Sequence, residues 1–408
     1  MSVAQGINKT IAYKKQSGLG TAASGTGGQL IRRETATFST SKDAYSSNEI
    51  VSHQQHTGDT HGVRSTTATI NGLLSPTTYK DFFASLLRKA WAATSDITGL
   101  SVTIAAGSGS LFTITDGAAT FLTDGIKVGD VVRLSGGSLN SANAGVNLLV
   151  TAVTETVVTV LPFGVDATMT AEGPIASVTM SVPGQKTYVP TSGHTNDYYT
   201  FEENWTDLTR YHLYQDVQIG SADINMPATG NIGINWSLVG LGYRTKSGTQ
   251  TLTTPSAETT TGIASSVAGK VLIGGTAYAS VTSARVMIDG QIGAGEAVIG
   301  SNYRPDNQRG RIRVSGSFTA LYESDDLAAS FDNETATSLV LVLADDATTT
   351  ADFITLSMSK VKLFSDDADD GEKQIVRTYS FVAEINGEGG AALANNQTII
   401  SLQDSLIA

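Results

Sequence analysis

The chain has 408 residues, more than a single hydrophobic core usually organises, so two or three domains are expected. Its 26 basic and 38 acidic side chains give a formal net charge of −12. This argues against tight binding to DNA or RNA, which depends on neutralising phosphates. The absence of cysteine excludes disulfides, thiolate zinc ligands and a cysteine nucleophile.

The N-terminal region is small and polar, and it contains no apolar run of secretory length. Residues 17–28, SGLGTAASGTGG, favour a flexible arm unless a partner orders them. No apolar run approaches the length needed to span a bilayer. We therefore expect a protein without a membrane segment that is made in the cytoplasm, and whose abundant Gly, Ser and Thr are typical of a mainly β fold.

One helix is predicted over SPTTYKDFFASLLRKAWAA. Ser75 suits the N-cap and Pro76 the first helical position, while Asp81 lies early and Arg88 late, as the helix dipole favours. The large apolar residues recur at helical spacing, so they should pack on a sheet. These packing residues are Tyr79, Phe82, Phe83, Leu86, Leu87 and Trp91.

From about Gly99 to Pro183 the composition shifts to Gly, Val, Thr and Ser. The run LLVTAVTETVVTVL, residues 148–161, alternates at period two around a predicted turn near Glu155. Pro and Gly punctuate the exits of this block. The pattern predicts a small all-β domain inserted into a larger one.

An internal repeat relates the two ends of the chain. A shift of 310 − 62 = 248 aligns Gly62 with Gly310, Leu73 with Leu321 and Phe83 with Phe331. Each copy then reads as strand, polar loop, strand and amphipathic helix. The strand candidates after the inserted block include QDVQIGSADINM (215–226) and IGINWSLVGL (232–241), and the second copy continues with TSLVLVLA (337–344).

The fold class predicted from these features is mainly β, with two tandem β domains, each with an α-helix, and an inserted small all-β domain. The predicted divisions are a flexible N-terminal arm over 1–29, a discontinuous first domain over 30–98 and 184–255, the insert over 99–183, and a second domain over 256–408.

The stretch HQQHTGDTH, residues 53–61, raises the question of a metal site. Its spacing, His-x2-His-x4-His, matches no standard zinc or facial-triad pattern, although Asp59 could complete one. The shift of 248 places SNYRPDNQR over it, so His53, His56 and His61 become Ser301, Arg304 and Arg309 in the second copy. A solvated polar loop is the favoured interpretation.

Other motifs fail in detail. In the acidic run FSDDADDGE (364–372), Gly371 falls one place too early for a calcium loop counted from Asp367, so a solvated acidic turn is favoured. GIASSVAGKV (262–271) lacks phosphate-loop spacing. Adjacent carboxylates such as Glu202 and Glu203 point to opposite faces of a strand, so they cannot act on one bond and are interpreted as residues that favour solubility. We predict no catalytic residues, no cofactor and no metal.

The stretch ATFSTSKDAYSSNEIVSHQQHTGDTHGVRSTTATINGLLSPTTYKDFFASLLRKAW, together with VTSARVMIDGQI and RIRVSGSFTALYES, resembles the major tail tube proteins of long, non-contractile-tailed bacteriophages. FLTDGIKVGDVVRLSG is similar to the small β domain that some of these proteins carry. The resemblance covers most of the chain as a pattern and includes no catalytic signature.

The resemblance implies that each tandem domain is a tail-tube-type β-sandwich or barrel with a flanking α-helix. It also implies a structural virion protein that self-assembles into stacked rings, assembled in the host cytoplasm. DNA would pass through the lumen without specific binding, and tape measure, tail-tip and terminator proteins would be partners. Two tube domains per chain would suggest trimers with pseudo-sixfold symmetry, with hexamers as the alternative. The long polar loops would reach the neighbouring ring, which assigns ring-stacking roles to His53, His56, Asp59, His61, Arg304, Asn307 and Arg309.

Two other functions stay open at this point. A phage surface adhesin or decoration protein could use the inserted β domain for binding and would form no filaments. A β-rich hydrolase could use an acidic pair. The motif-poor sequence and the tandem halves favour the structural protein.

Overall fold

The computed structural model describes residues 3–278, 280–370, 372 and 374–408. The fold is mainly β, with an eighteen-stranded sheet, a closed barrel of six strands, a two-stranded ribbon and two short α-helices among these residues. No helix in the described ranges has the length and hydropathy needed to cross a bilayer.

The first part of the chain contributes four strands and a helix to the large sheet. They are β1 (Lys9–Lys15), β2 (Gln29–Leu30), β3 (Thr35–Ser46), β4 (Asp59–Leu73) and α1 (Lys80–Leu86). α1 begins five residues after Ser75, because residues 76–79 form turns in which Thr77 has a positive φ of 65°. The predicted N-cap at Ser75 is therefore wrong, and Tyr79 takes that position.

The predicted flexible arm over residues 1–29 also differs from the structure. β1 lies within the sheet, where it buries Ile11 and Tyr13. The small residues that follow are fixed by their backbone: Gly20 N donates to Asp216 Oδ1 at 2.8 Å and Ala23 N to Thr200 Oγ1 at 2.8 Å. Asp216 and Thr200 lie far from this segment in the sequence, so the contacts that fix it could not be predicted from its composition, which indicated a flexible arm. Met1 and Ser2 lie outside the described residues.

The next six strands close into a barrel in the order β10-β5-β6-β9-β8-β7. Their bounds are β5 (Ile97–Ala106), β6 (Phe112–Thr115), β7 (Val131–Gly136), β8 (Leu148–Val153), β9 (Val157–Pro162) and β10 (Glu172–Ser181). The barrel has a hydrophobic core of its own, which includes Val102, Phe121 and Val158. Its first and last strands are paired, with Met180 opposite Ile97, so the chain enters and leaves the barrel at one place.

After the barrel the chain returns to the large sheet. The strands are β11 (Gln185–Tyr188), β12 (Tyr199–Trp205), β13 (Arg210–Met226), β14 (Gly233–Gly240) and β15 (Arg244–Ser247). Pairing gives the first half of the sheet the order β2-β1-β12-β13-β14-β4-β3. β15 pairs with the first part of β13.

The second half of the chain repeats this arrangement. Its elements are β16 (Lys270–Ile273), β17 (Thr276–Ala277), β18 (Val281–Asp289), β19 (Ile292–Ala294), β20 (Asn307–Arg309), β21 (Arg313–Leu321), α2 (Asp326–Asp332), β22 (Thr337–Ala344), β23 (Phe353–Leu363), β24 (Asp367–Ala368), β25 (Val376–Ala383) and β26 (Ser401–Asp404). Its strands follow the order β17-β16-β22-β23-β25-β21-β18. Each strand of this series has a counterpart at the same place in the first half, and β26 on β23 corresponds to β15 on β13.

The helix α1 packs over the first half of the sheet. Phe82, Phe83 and Leu86 are buried, and the rings of Phe82 and Phe83 have centroids 5.3 Å and 4.9 Å from that of Trp236 on β14. Tyr79 and Leu87 are buried as well, whereas Trp91 is half-buried and donates its Nε1 hydrogen to Lys80 O at 2.8 Å. Aromatic pairs in these edge-on geometries add specificity to the area that is buried.

The barrel packs against the second half, although the chain enters it from the first. Val131 and Phe163 of the barrel share a core with Val340 and Phe353 of β22 and β23. Lys127 Nζ donates to the carbonyl oxygens of Gly390 at 3.0 Å and Leu393 at 2.6 Å. The barrel is therefore anchored on the half that follows it.

Candidate assembly surfaces

The two halves meet in a strand pairing within the chain. The second part of β13 lies antiparallel to β18, with Ser221 opposite Asp289 and Met226 opposite Ala284. We call this pairing the in-chain joint. It makes one continuous sheet of the two halves.

Side chains of the two halves contact each other on both faces of the in-chain joint. On one face Ala222 and Ile224 are buried with Val286 and Ile288 in the main core. On the other face Arg285 pairs with Asp223, at 2.6 Å between Nη2 and Oδ2, and this pair raises the pKa of Arg285. The apolar face supplies most of the stabilisation, because an ion pair this exposed contributes about 1 kcal/mol at most.

The outer edges of the sheet differ from the in-chain joint. β3 is the first-half counterpart of β18, and among the described residues it pairs with β4 alone. Most of its side chains are exposed, and Phe38 is half-buried. An extended strand with one open edge offers a row of backbone donors and acceptors to another chain.

The polar loop between β3 and β4 holds the histidines singled out in the sequence. His56 Nε2 lies 3.2 Å from Asp59 Oδ1, both side chains are about half exposed, and His53 Nδ1 accepts a hydrogen bond from Gln55 N at 3.2 Å. His61 is exposed at the start of β4. The described residues include no cluster of three or more His, Asp or Glu that could hold a metal ion. We call residues 47–58 the first loop.

The corresponding loop of the second half, residues 295–306, lies between β19 and β20 and contacts the first half. Tyr303 stacks on Tyr243 with ring centroids 4.0 Å apart and planes 1° from parallel. Arg64 donates from Nη1 to Tyr303 Oη at 2.7 Å, and Arg64 N donates to Asn302 O at 2.9 Å. We call residues 295–306 the second loop.

The three polar residues assigned to stacking in this region are engaged within the chain. Arg304 Nη1 lies 3.4 Å from Arg64 O, and Asn307 is buried and donates to Gln218 Oε1 at 3.2 Å. Arg309 Nη2 pairs with Asp306 Oδ2 at 3.1 Å and donates a hydrogen bond to Tyr198 Oη of the first half. The structure brings Arg304, Asn307 and Arg309 to the first half rather than to the histidines.

Sequence reasoning missed two contributors to these surfaces. Tyr243 follows β14 and gave no periodic signal, yet it anchors the second loop. The second contributor is a repeat at the start of each half: VAQGINKTI, residues 3–11, matches IASSVAGKV, residues 263–271, in its apolar and small positions. A search for a second repeat at the shift 264 − 4 = 260 could have found it.

Comparison with known families decides the identity. The profile described as "Phage tail tube protein" matches residues 6–389. The chain belongs to this family. It is a structural component of the phage virion, and its mainly β fold is consistent with a tail tube protein. No curated protein matches the chain.

Proposed function

We propose that this tail tube protein assembles with copies of itself into rings, and that stacked rings form the conduit through which phage DNA enters the host. The observation that carries the proposal is the repeated strand order of the two halves, joined edge to edge by β13 and β18. Such a sheet can continue from one copy to the next, and closing it into a ring removes the open edges.

The proposed ring contains three copies, which would present six similar halves around the axis. Each copy would supply two halves, one internal joint and one joint to its neighbour, so three copies would close the pseudo-sixfold ring that the family resemblance implies. Hexamers of whole chains are the alternative. The first domain is proposed to begin at β1 and not at residue 30, since β1 is the counterpart of β16. Residues 99–183 are proposed to form the inserted domain, which would lie on the exterior of the tube.

The two loops are proposed to contact the neighbouring ring. Ile50 in the first loop and Ile299 in the second are fully exposed, and the shift of 248 places both in matching apolar pairs. Because Arg304, Asn307 and Arg309 already contact the first half, the apolar tips carry the contact, with His53, His56, Asp59 and His61 beside the first tip.

The acidic balance suits a conduit for DNA. A net charge of −12 would repel the phosphate backbone, so DNA could slide without adhering. We propose that tape measure, tail-tip and terminator proteins bind the ends and the lumen of the tube, and that assembly takes place in the host cytoplasm before the tail joins the virion.

Electron microscopy of the purified, concentrated protein tests the proposal. Hollow tubes whose end-on averages show three copies and six lobes are expected, and rings of six whole chains would retain the function but exclude the trimer. Compact monomers at every concentration, with and without tail-tip proteins as initiators, would contradict the proposal.

A variant of the first loop tests whether this loop joins rings into stacks. Replacing residues 49–52 with Gly and Ser removes Ile50 from the first loop without touching β3 or β4. Single rings that do not stack are expected. The matched control replaces Val165, an exposed residue in the barrel region, and should stack normally.

A further inference from the structure

Beside the in-chain joint, a segment of the second half covers part of the first half. Leu74 N donates to Ile232 O at 2.8 Å, Ala264 N donates to Leu74 O at 2.8 Å, and Ile232 N donates to Ala264 O at 3.0 Å. All three side chains have no exposed surface. The residues around Ala264 lead directly into β16, so the first half is covered by the segment that begins the half after it.

The second half carries the same bonded pair in an exposed setting. Tyr322 follows β21 as Leu74 follows β4, and Ile375 precedes β25 as Ile232 precedes β14. Tyr322 N donates to Ile375 O at 3.0 Å, the counterpart of the bond from Leu74 to Ile232. Yet Tyr322 is 42% exposed and Ile375 is 49% exposed. This surface resembles the first half without its cover.

The cover has a counterpart at the N-terminus. Residues 3–8 precede β1 as residues 263–268 precede β16, and each segment forms a 3₁₀ turn, Gly6–Asn8 and Ser266–Ala268. Ala4 stands where Ala264 stands in the shift of 260. Val3 is 76% exposed and Ala4 is exposed as well, whereas their counterparts Ile263 and Ala264 are half-buried and fully buried.

The order of the halves along the sheet identifies the segment that would bind the exposed surface at Tyr322 and Ile375. The segment 263–268 belongs to the second half and covers the half that precedes it. Residues 3–8 belong to the first half, which is the earlier of the two halves that the structure describes. In a continued sheet, the half that precedes it is the second half of another copy.

We propose that residues 3–8 of one copy dock on the surface formed by Tyr322, Gln374 and Ile375 of a second copy, with Ala4 in the place that Ala264 takes within the chain. The proposal rests on the proposed function and names the contact that joins the copies.

The same correspondence between the two halves would place the open edge of β3 beside residues 365–370 of the second copy. Asp367 is then the counterpart of Asp223, since it lies opposite Thr378 as Asp223 lies opposite Asn235. Thr37 is the counterpart of Arg285 through the shift of 248. The ion pair of the in-chain joint is thus not repeated between copies, and the docking of residues 3–8 matters correspondingly more.

Disulfide trapping tests the contact, because the chain has no cysteine of its own. Within the chain, Ser265 lies opposite Asn231 in an antiparallel bridge, and the counterparts are Gln5 and Gln374. The variant Gln5→Cys with Gln374→Cys should give linked dimers and closed trimers on a non-reducing denaturing gel. Ser265→Cys with Asn231→Cys should close without an increase in mass, and Gln5→Cys with Glu388→Cys should stay unlinked.

A steric variant provides the functional readout. Ala264 is fully buried, whereas Val267 is 77% exposed, so a large side chain should be excluded at position 4 and tolerated at position 7. Ala4 and Ile7 are both exposed in the single chain. We expect Ala4→Trp to lower tube yield at least tenfold with an unchanged melting temperature, and Ile7→Trp to assemble as the unaltered protein does.

The outcomes separate this inference from the proposed function. If the unaltered protein forms tubes but Ala4→Trp assembles equally well and the Gln5 and Gln374 cysteines do not link, the docking contact is wrong and the tube function stands. Linked dimers without rings or tubes would support the contact and contradict the tube. Neither links nor assemblies would overturn both.

Discussion

Arg285 and Asp223 link the two halves of the sheet by two parallel hydrogen bonds, Nε to Oδ1 at 2.7 Å and Nη2 to Oδ2 at 2.6 Å. They lie on neighbouring strands of the in-chain joint, on the face opposite the main core. Bidentate geometry of this kind fixes orientation as well as adding attraction. The pair therefore helps to set the register in which β18 meets β13.

The first prediction concerns this pair. Arg285→Ala should lower the free energy of unfolding by no more than about 1 kcal/mol, because the guanidinium is largely exposed and screened by solvent. A double-mutant cycle with Asp223→Ala, followed by urea denaturation, measures the coupling. A coupling above about 3 kcal/mol would show that the pair, and not the apolar face, holds the joint. The same cycle at high salt should give a smaller coupling.

The second prediction concerns the packing of α1. The Phe82 ring lies among aromatic residues, with centroids 5.0 Å from Tyr13 and 5.3 Å from Trp236. Phe82→Ala should lower the free energy of unfolding by about 3–5 kcal/mol, because it opens a cavity in a close-packed core. Phe364→Ala deletes the same atoms from a side chain that is 60% exposed and should cost less than about 0.5 kcal/mol in the monomer. Similar losses in the two variants would contradict the packing described here.

The third prediction concerns the barrel. Ile97 lies opposite Met180, so residues 97–181 can be replaced by a short Gly-Ser linker. The deletion should uncover Val340, Val342 and Phe353, which the barrel now buries. We expect a lower melting temperature and strong binding of a dye specific for exposed apolar surface.

A second variant tests whether the uncovered valines account for the dye binding. Adding Val340→Thr and Val342→Thr to the deletion should reduce dye binding without restoring the melting temperature. If the deletion alone neither binds dye nor melts earlier, the barrel does not stabilise the second half. Lys127→Ala in the intact chain should give a smaller loss, since it removes the bonds to residues 390 and 393 but leaves the shared core.

The strands could be predicted where periodicity or a continuous apolar run marks them. TSLVLVLA became β22 with the same bounds, and the turn near Glu155 separates β8 from β9. The repeated strand order was visible only as a faint shift of 248, because pairing partners lie far apart in sequence. Propensity also misplaced the start of α1, where turns between Pro76 and Tyr79 delay the helix.

Buried charge was beyond reach of the sequence. From the sequence, Glu202 and Glu203 are interpreted as residues that favour solubility, yet both are buried. Glu202 accepts hydrogen bonds from Thr251 N at 2.7 Å and Leu252 N at 3.0 Å, and Glu203 pairs with Lys9 Nζ at 2.6 Å. Their partners come from segments that gave no strand signal, so only the folded chain shows how these carboxylates are satisfied.

The fourth prediction concerns pH and Asp404, which lies on β26. Its Oδ2 accepts a hydrogen bond from Thr77 N at 2.7 Å and its Oδ1 one from Leu406 N at 3.1 Å. Burial raises the pKa of Asp404 to about 6 in spite of these bonds, from an ordinary value of 3.8. Because the folded protein holds this proton more tightly than the unfolded chain, the group favours folding fully below pH 3.8 and loses that contribution as the pH rises through about 6.

Asp404→Asn removes the titration while keeping the shape of the protonated side chain. The free energy of unfolding of the variant, minus that of the unaltered protein, should increase by about 2 kcal/mol between pH 4 and pH 7, since one pKa unit corresponds to about 1.4 kcal/mol. Urea denaturation at each pH gives this difference, and any constant effect of the substitution cancels from it. Asp96→Asn, at an exposed position, is the control and should leave the difference flat. A difference that falls with pH would mean that the two backbone donors outweigh burial, and that Asp404 stays ionised in the folded tail tube protein.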